Sequence, residues 1–382
     1  MAGEIGGALM PDAAGLGERF EELLLAAKNL GASDIHLLAG LPPMLRINGE
    51  IRGLPDWEPL AADCLNALPR AILLPEQLAK LEAEREISVS HSSPRHGRHR
   101  LSLYHRMGVR EMSIRVVQTA IQDRETLGLP PWVDEVVARA SGLMLVTGPT
   151  GSGKTTTLNY LIDAINRSRN SRIVTIEDPV EFEHRHRRSL VTQIEVGTDT
   201  PSFPGFLRHV LRLDPDVIVI GEMRDLETIS TALTGAETGH LVLSTLHTPS
   251  AIGTAERIVN AFPGELQAQI AIQTASTLLG VISQRLIPTV DKRRRVLAAE
   301  VLIANSAVRH VIRERTFFKL YDAIMTGSRQ GMRLLETSLA ELYRSGIITL
   351  ASAQANANNL GHFSSLIKSS PPPGEDRDSP WG

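Results

Sequence analysis

Eight residues, Gly148-Pro149-Thr150-Gly151-Ser152-Gly153-Lys154-Thr155, constrain this chain more than any other stretch, because they match GxxxxGK[ST] in full. An apolar run, 143–146, precedes them and a helix-compatible run, 156–165, follows. A strand, a glycine-rich turn and a helix in that order place backbone N–H groups around phosphate oxygens, at the positive end of the helix. The pattern predicts nucleotide contacts from Gly148, Thr150, Gly151, Ser152, Gly153, Lys154, Thr155 and Thr156. Lys154 is expected to reach the β- and γ-phosphates of ATP, and the Thr155 hydroxyl to ligate Mg²⁺.

The surroundings fit such a turn. Short β-rich runs at 143–147, 172–176, 217–220 and 241–245 alternate with helical segments, which predicts a mostly parallel sheet with helices on both faces. A further strand is expected at 295–303. Upstream, Phe20, Leu23, Leu24, Ala27 and Leu30 follow helical spacing and Gly31 reads as the stop. Runs at 44–47 and 51–54 flank Asn48-Gly49, a favoured hairpin turn, and further strands are expected at 100–104 and 111–117. At 382 residues, two domains are expected. The boundaries read as a loose leader at 1–15, a small α+β domain at 16–120, a Gly/Pro linker at 121–131, an α/β domain at 132–350 and a disordered tail at 351–382.

Hydrolysis needs a carboxylate near Mg²⁺ and the attacking water. Asp214-Pro215-Asp216-Val217-Ile218-Val219-Ile220-Gly221-Glu222 reads as a buried strand ending in Gly-Glu, so Glu222 is the candidate for orienting or deprotonating water, or for holding Mg²⁺. A second acidic group, Glu177, Asp178 and Glu181, also follows an apolar strand, where ligands bind in open α/β sheets. Spacing alone leaves open which of the three faces the nucleotide; Asp178 is assigned to the metal, Glu177 and Glu181 to the chemistry.

His240 and His247 bracket the run 241–246. An extended chain advances about 3.3 Å per residue, so the two rings are expected about 23 Å apart and do not share a metal. His247, past the end of a strand beside the glycine-rich turn, is expected to sense γ-phosphate. His240 stands between a catalytic and a structural reading.

The totals exclude several classes. One cysteine, Cys64, permits neither a disulfide framework nor a four-cysteine zinc site. No apolar run approaches the length of a membrane span, about 20 residues. The N-terminal segment has no basic region before an apolar core, which predicts no secretory signal and a soluble protein. A net charge of −3 gives no support for nucleic acid as an obligate partner. The basic runs at 94–100 and 183–188 lack interleaved aromatics and read as solvated loops.

Four ordered motifs then carry a resemblance: GPTGSGKTT, TIEDPVEF, DPDVIVIGEMRD and TGHLVLSTLHT. They resemble the Walker A loop, the Asp box, an atypical Walker B ending in Glu and the His box of the secretion ATPase superfamily, which serves type II secretion, type IV pili and type IV secretion. ASDIHLLAGLPPMLRINGEIRGL resembles the N-terminal, PAS-like domain of that superfamily. GEMRDLETISTAL and the 307–314 run AVRHVIRE resemble the pilus retraction ATPases, the second with substitutions in its AIRNLIRE motif.

The resemblance implies a RecA-like P-loop domain behind the PAS-like domain. It further implies a homohexamer that docks from the cytoplasm on an inner-membrane platform protein, and N-domain arginines that help close the nucleotide site. Arg100 and Arg115 are the candidates, with Arg106 and Arg110 as substitutes. Guanidinium groups suit the task, since they stay charged and fork onto phosphate oxygens. The helix with Val308 and Ile312, continuing to Ile324, is the expected output element. A secretion or conjugation ATPase of similar size, a nucleic-acid translocase on the same core, and a nucleotide-binding regulator without turnover are the alternatives.

Overall fold

The computed structural model describes residues 13–369 apart from 48, 94, 96 and 117–120. The leader up to residue 12, Asn48 of the expected hairpin turn, part of the 94–100 basic run and the tail from 370 lie outside the described residues. The chain divides into two compact units, Met1–Ala120 with Pro179–Glu183, and Ile121–Asp178 with His184–Gly382.

The first unit is built on a six-stranded antiparallel sheet. In chain order its elements are α1 (Ala13–Asn29), β1 (Asp34–Leu37), β2 (Met44–Ile47), β3 (Glu50–Gly53), α2 (Ala62–Ile72), α3 (Pro75–Glu84), β4 (Glu86–Ser93), β5 (Gly97–Arg106) and β6 (Val109–Val116). The sheet order is β3-β2-β1-β6-β5-β4. Leu16, Phe20, Leu23, Leu24 and Ala27 form one stripe of α1 and are buried with Ile35, Leu101 and Ile114 of the sheet. Gly31 ends the helix in a left-handed conformation (φ +69°) that strains any residue with a Cβ.

The second unit holds a seven-stranded sheet. It runs α4 (Arg124–Leu127), α5 (Trp132–Val137), β7 (Gly142–Thr147), α6 (Lys154–Ser168), β8 (Arg172–Glu177), β9 (Leu190–Glu195), α7 (Phe203–Val210), β10 (Val217–Ile220), α8 (Leu226–Glu237), β11 (Leu241–Leu246), α9 (Ala251–Asn260) and α10 (Gly264–Thr277). Then follow β12 (Leu278–Pro288), β13 (Arg295–Ile303), α11 (Ser306–Arg313), α12 (Leu320–Thr326), α13 (Leu335–Arg344), α14 (Leu350–Asn356) and α15 (Leu360–Ser369). The order is β13-β12-β7-β11-β10-β8-β9, parallel throughout except for β13. Every residue of β7, β10 and β11 is buried, because helices cover both faces. That is why these strands read as largely apolar runs.

Three expectations need correction. The 121–131 linker contains a short helix, α4, capped by the Asp123 carboxylate and ended by Gly128. The tail from 351 is helical as far as Ser369: Ala353 and Phe363 are fully buried against Ile287, Ala298, Leu335 and Leu339, which repays the ordering of polar, alanine-rich helices. Val308, Ile312 and Ile324, the centre of the expected output element, are fully buried core residues, so Phe318 and Met325 are the apolar side chains this region exposes.

Phe363→Ala is expected to cost about 3–5 kcal/mol of local stability by leaving a cavity under α15. Limited proteolysis should show new cleavage confined to 350–369. An unchanged digestion pattern would mean that α15 is held by other contacts.

Candidate nucleotide site

The glycine-rich turn joins β7 to α6, at the centre of the parallel sheet. Its geometry explains the sequence. Gly148 has φ +137°, and an added Cβ would meet Gln284 O at 2.3 Å and Ser152 Oγ at 2.6 Å. Gly153 caps α6 at φ +90°. Both glycines are required by backbone shape before any ligand is considered. Thr157 of α6 accepts from Gln284 Nε2 at 2.7 Å, fixing the helix against β12.

Lys154, at the first turn of α6, is only 9% exposed. Its ammonium donates to Gly148 O at 2.9 Å and Pro149 O at 3.0 Å, and lies 3.4 Å from His247 Nδ1. Burial holds the ammonium below the usual lysine range, against the pull of the Glu222 carboxylate. Thr155 is half-buried, Thr150 is exposed on the turn and Thr156 is exposed in the first turn of α6.

Glu222 is presented by a clamp. Gly221 N donates to Ile176 O at 2.8 Å, Met223 N donates to Thr245 O at 3.0 Å, and the Thr245 hydroxyl donates to Gly221 O at 2.7 Å. The turn after β10 is thus pinned to β8 on one side and β11 on the other. Its carboxylate takes His247 Nε2 on Oε1 at 3.1 Å and the Arg224 guanidinium on Oε2 at 3.0 Å. Lys154, His247, Glu222 and Arg224 therefore form one linked chain at the carboxyl ends of β7, β10 and β11.

The other candidates fall in different places. His240 Nδ1 lies 3.0 Å from Gly235 O and 3.1 Å from Thr238 Oγ1, closing the end of α8. It precedes β11 while His247 follows it, so the structure does not bring the two together. Glu177 is buried, and its Oε1 accepts from Thr175 Oγ1 at 2.7 Å and Gln193 Nε2 at 3.0 Å. Asp178 is exposed and close enough to Arg224 to favour its charge. Glu181 is half-buried in the Pro179–Glu183 stretch that groups with the first unit. Arg100 and Arg115 are direct cross-strand partners on β5 and β6, and Arg115 Nε pairs with Asp34 Oδ1 at 3.1 Å.

Sequence reasoning missed Arg224, which sits two residues beyond Glu222 with no spacing signal to mark it. It also missed a buried network behind Glu177, in which His184 Nε2 meets Asn159 Oδ1 at 2.9 Å and His184 N donates to Gln193 Oε1 at 2.8 Å. Burial lowers the His184 imidazole to about 4, so it is neutral when it joins α6 to the acidic loop.

The donor set suits Mg²⁺ with a nucleotide. Among the described residues no group of three or more His, Cys, Asp or Glu side chains is arranged to hold a metal. Mg²⁺ needs no such cage, since it keeps waters and takes phosphate oxygens with one or two protein oxygens. The Thr155 hydroxyl beside the turn and the Glu222 carboxylate are of that kind.

Comparison with known proteins places this site in a family. The model for "Type II/IV secretion system protein" matches residues 99–360. The chain is 42% identical over 342 residues to the type IV pilus retraction ATPase PilT of Pseudomonas aeruginosa, covering 90% of this chain and 99% of that one. It is 38% identical over 324 residues to a twitching motility protein of Neisseria gonorrhoeae, covering 84% and 86% of the two chains. Its fold superposes on the crystal structure of the pilus retraction motor PilT with bound ADP at a TM-score of 0.85 and 43% identity, covering 90% of this chain and 98% of that one. The ATPase DotB of Legionella pneumophila follows at 0.75 and 28%, covering 93% and 97%. The chain belongs to the type II/IV secretion system protein family.

Proposed function

We propose that this chain is a Mg²⁺-dependent ATP hydrolase that assembles as a homohexamer and drives type IV pilus retraction through an inner-membrane platform protein. The observation that carries the reading is the linked chain Lys154–His247–Glu222 beside a glycine cradle that admits no Cβ at Gly148. The cradle and the start of α6 suit the ATP phosphates. Lys154 meets the β- and γ-phosphates, His247 lies where a terminal phosphate is sensed, and Glu222 orients the attacking water. Thr155 and Glu222 would hold Mg²⁺, which when bound would neutralise charge developing on the phosphates, with Asp178 nearby in the loop after β8. Glu177, occupied by Thr175 and Gln193, holds the acidic loop in shape, and Glu181 remains a candidate from that loop. Arg100 and Arg115 are the arginines this reading supplies to the phosphates within the ring.

Retraction is preferred to secretion or conjugation because identity and superposition are both higher for the retraction motor than for DotB. Among the described residues no helix is long and apolar enough to cross a membrane, so work on a membrane machine is proposed to pass through the platform partner.

The test is the ATPase rate per subunit across protein concentrations, with Mg²⁺ and without DNA. Specific activity is expected to rise steeply with concentration as rings form. Expression in a bacterium deleted for its own retraction ATPase should restore twitching. Turnover only with added DNA would overturn the motor reading in favour of a nucleic-acid translocase, and no turnover with tight ATP binding would favour a regulator.

A further inference from the structure

Residues 179–183 group with the first unit, while Asp178 and His184 on either side of them belong to the second. The two ends of that loop are joined by one side chain that the hydrolytic reading does not use, Gln193 of β9. Before the loop, Glu177 ends β8, and its Oε1 accepts from Thr175 Oγ1 at 2.7 Å and from Gln193 Nε2 at 3.0 Å. After it, the backbone N–H of His184 donates to Gln193 Oε1 at 2.8 Å. Neither bond survives a flip of the amide, since a carboxylate needs the NH₂ group and a backbone N–H needs the oxygen.

The returning end is anchored on α6, the helix that begins at Lys154. His184 Nε2 lies 2.9 Å from Asn159 Oδ1, so that nitrogen carries the proton and donates. Two turns further along α6, Asn166 Nδ2 donates to Arg185 O at 2.8 Å, and its Oδ1 accepts from Arg187 N at 3.1 Å and Ser189 N at 3.3 Å. The leading end abuts the turn that presents Glu222. Gly221 N donates to Ile176 O at 2.8 Å, and a Cβ on Gly221 would lie 3.5 Å from Glu177 Cα. Val196 N holds the other side of Glu177, donating to its carbonyl at 2.9 Å. A shift of Glu177 is therefore felt at the residue before Glu222.

We propose that Gln193 is a positioning residue for ATP turnover: by tying Glu177 to His184 it keeps the base of the acidic loop, and with it Asp178 and the turn that presents Glu222, in register with α6. The proposal rests on the assignment of Glu222 to the attacking water. Gln193 acts through its two partners and not on the reacting atoms. Glu177 and His184 are 7% and 6% exposed, so solvent replaces a lost bond there poorly. The leverage is geometric. A misplacement of about 1 Å at a catalytic group, caused from a distance, slows a reaction by as much as about a hundredfold. Lys154 and the glycine-rich turn make none of these bonds, so nucleotide affinity is expected to stand apart from the loss.

The experiment measures ATP turnover, ADP affinity and melting temperature for the full chain carrying Gln193→Leu, Gln193→Glu, Glu177→Gln, or the last two together. Gln193→Leu keeps the bulk and drops both bonds. It should lower kcat about tenfold with KM for ATP and Kd for ADP within about threefold. General structural damage would weaken binding as well. Gln193→Glu sets a second carboxylate against Glu177 and should also run about tenfold slower. With Glu177→Gln already present the like charge is gone, and the same bonds form with donor and acceptor exchanged. In that background Gln193→Glu should cost less than about twofold. This cycle decides the matter should Gln193→Leu fail to fold. An unchanged kcat in Gln193→Leu, a loss carried by KM, or an equal cost of Gln193→Glu in both backgrounds overturns the proposal. An unsubstituted chain that hydrolyses no ATP refutes the functional reading instead. Hydrogen exchange then becomes the readout: Gln193→Leu should speed it about tenfold across 178–184 and leave α6 unchanged, and unaltered exchange there would mean that this amide does not tie the loop.

Discussion

Lys154→Ala is expected to lower ATP turnover by about a thousandfold while leaving the fold in place. The size follows from where the ammonium sits. Preorganised positive charge aimed at a transferring phosphoryl group is worth two to three orders of magnitude, roughly 3–4 kcal/mol, for a single donor in a site shielded from water. Lys154 is 9% exposed and its position is over-determined, with two carbonyls of the glycine-rich turn as acceptors and Glu222 favouring its charge. Lys154→Arg should fail nearly as badly, because a planar five-donor fork does not replace a compact ammonium between the Gly148 and Pro149 carbonyls. The stability cost is smaller. Two carbonyls lose a donor at the mouth of the site, which costs about 1–3 kcal/mol. Steady-state phosphate release at saturating ATP, with a melting curve as control, checks both parts. Turnover within tenfold of the unsubstituted chain would show that another cation meets the phosphates.

Much of the second unit was legible because its central strands are buried on both faces. β7, β8, β10 and β11 read as short β-rich, largely apolar runs, and a glycine-rich turn after one of them fixes where the site must be. β12 did not stand out. It follows α10 without a break, and its Gln284 and Arg285 carry polar tasks inside the sheet, a bond to Thr157 and bonds to the α14–α15 joint. The helices after 350 were hidden for a different reason. Their composition is that of a loose tail, and a few apolar anchors such as Phe363 decide the outcome through contacts far away in sequence. Within the site, the positions of Lys154, Glu222 and His247 followed from their places at strand ends. The direction of each acidic side chain did not. Glu177 is turned toward Thr175 and Gln193 by partners that no spacing rule connects to it. His240 and His247 carry the same chemistry, and only the six residues of β11 between them separate a helix-closing ring from one bonded to Glu222.

Glu222→Gln should separate binding from chemistry. Proton transfer or water orientation by one positioned carboxylate contributes about 10²–10⁴ in rate, so kcat is expected to fall by that factor with KM for ATP within a few-fold. The substitution keeps size and hydrogen-bonding capacity. The amide oxygen that replaces the carboxylate would still accept from His247 or Arg224, and the clamp through Gly221, Met223 and Thr245 is made by backbone and the Thr245 hydroxyl, so the geometry should survive. What disappears is the negative charge between His247 and the Arg224 guanidinium. A loss confined to kcat assigns Glu222 to the attacking water. A loss that is partly recovered by raising Mg²⁺ assigns it to the metal instead. Combining it with His247→Ala distinguishes a unit from two independent parts: His247 Nε2 and Glu222 Oε1 are 3.1 Å apart, and residues acting together lose little more in the double variant than in the worse single one. Additive losses would mean that the His247–Glu222 contact is incidental and that His247 acts on phosphate without Glu222.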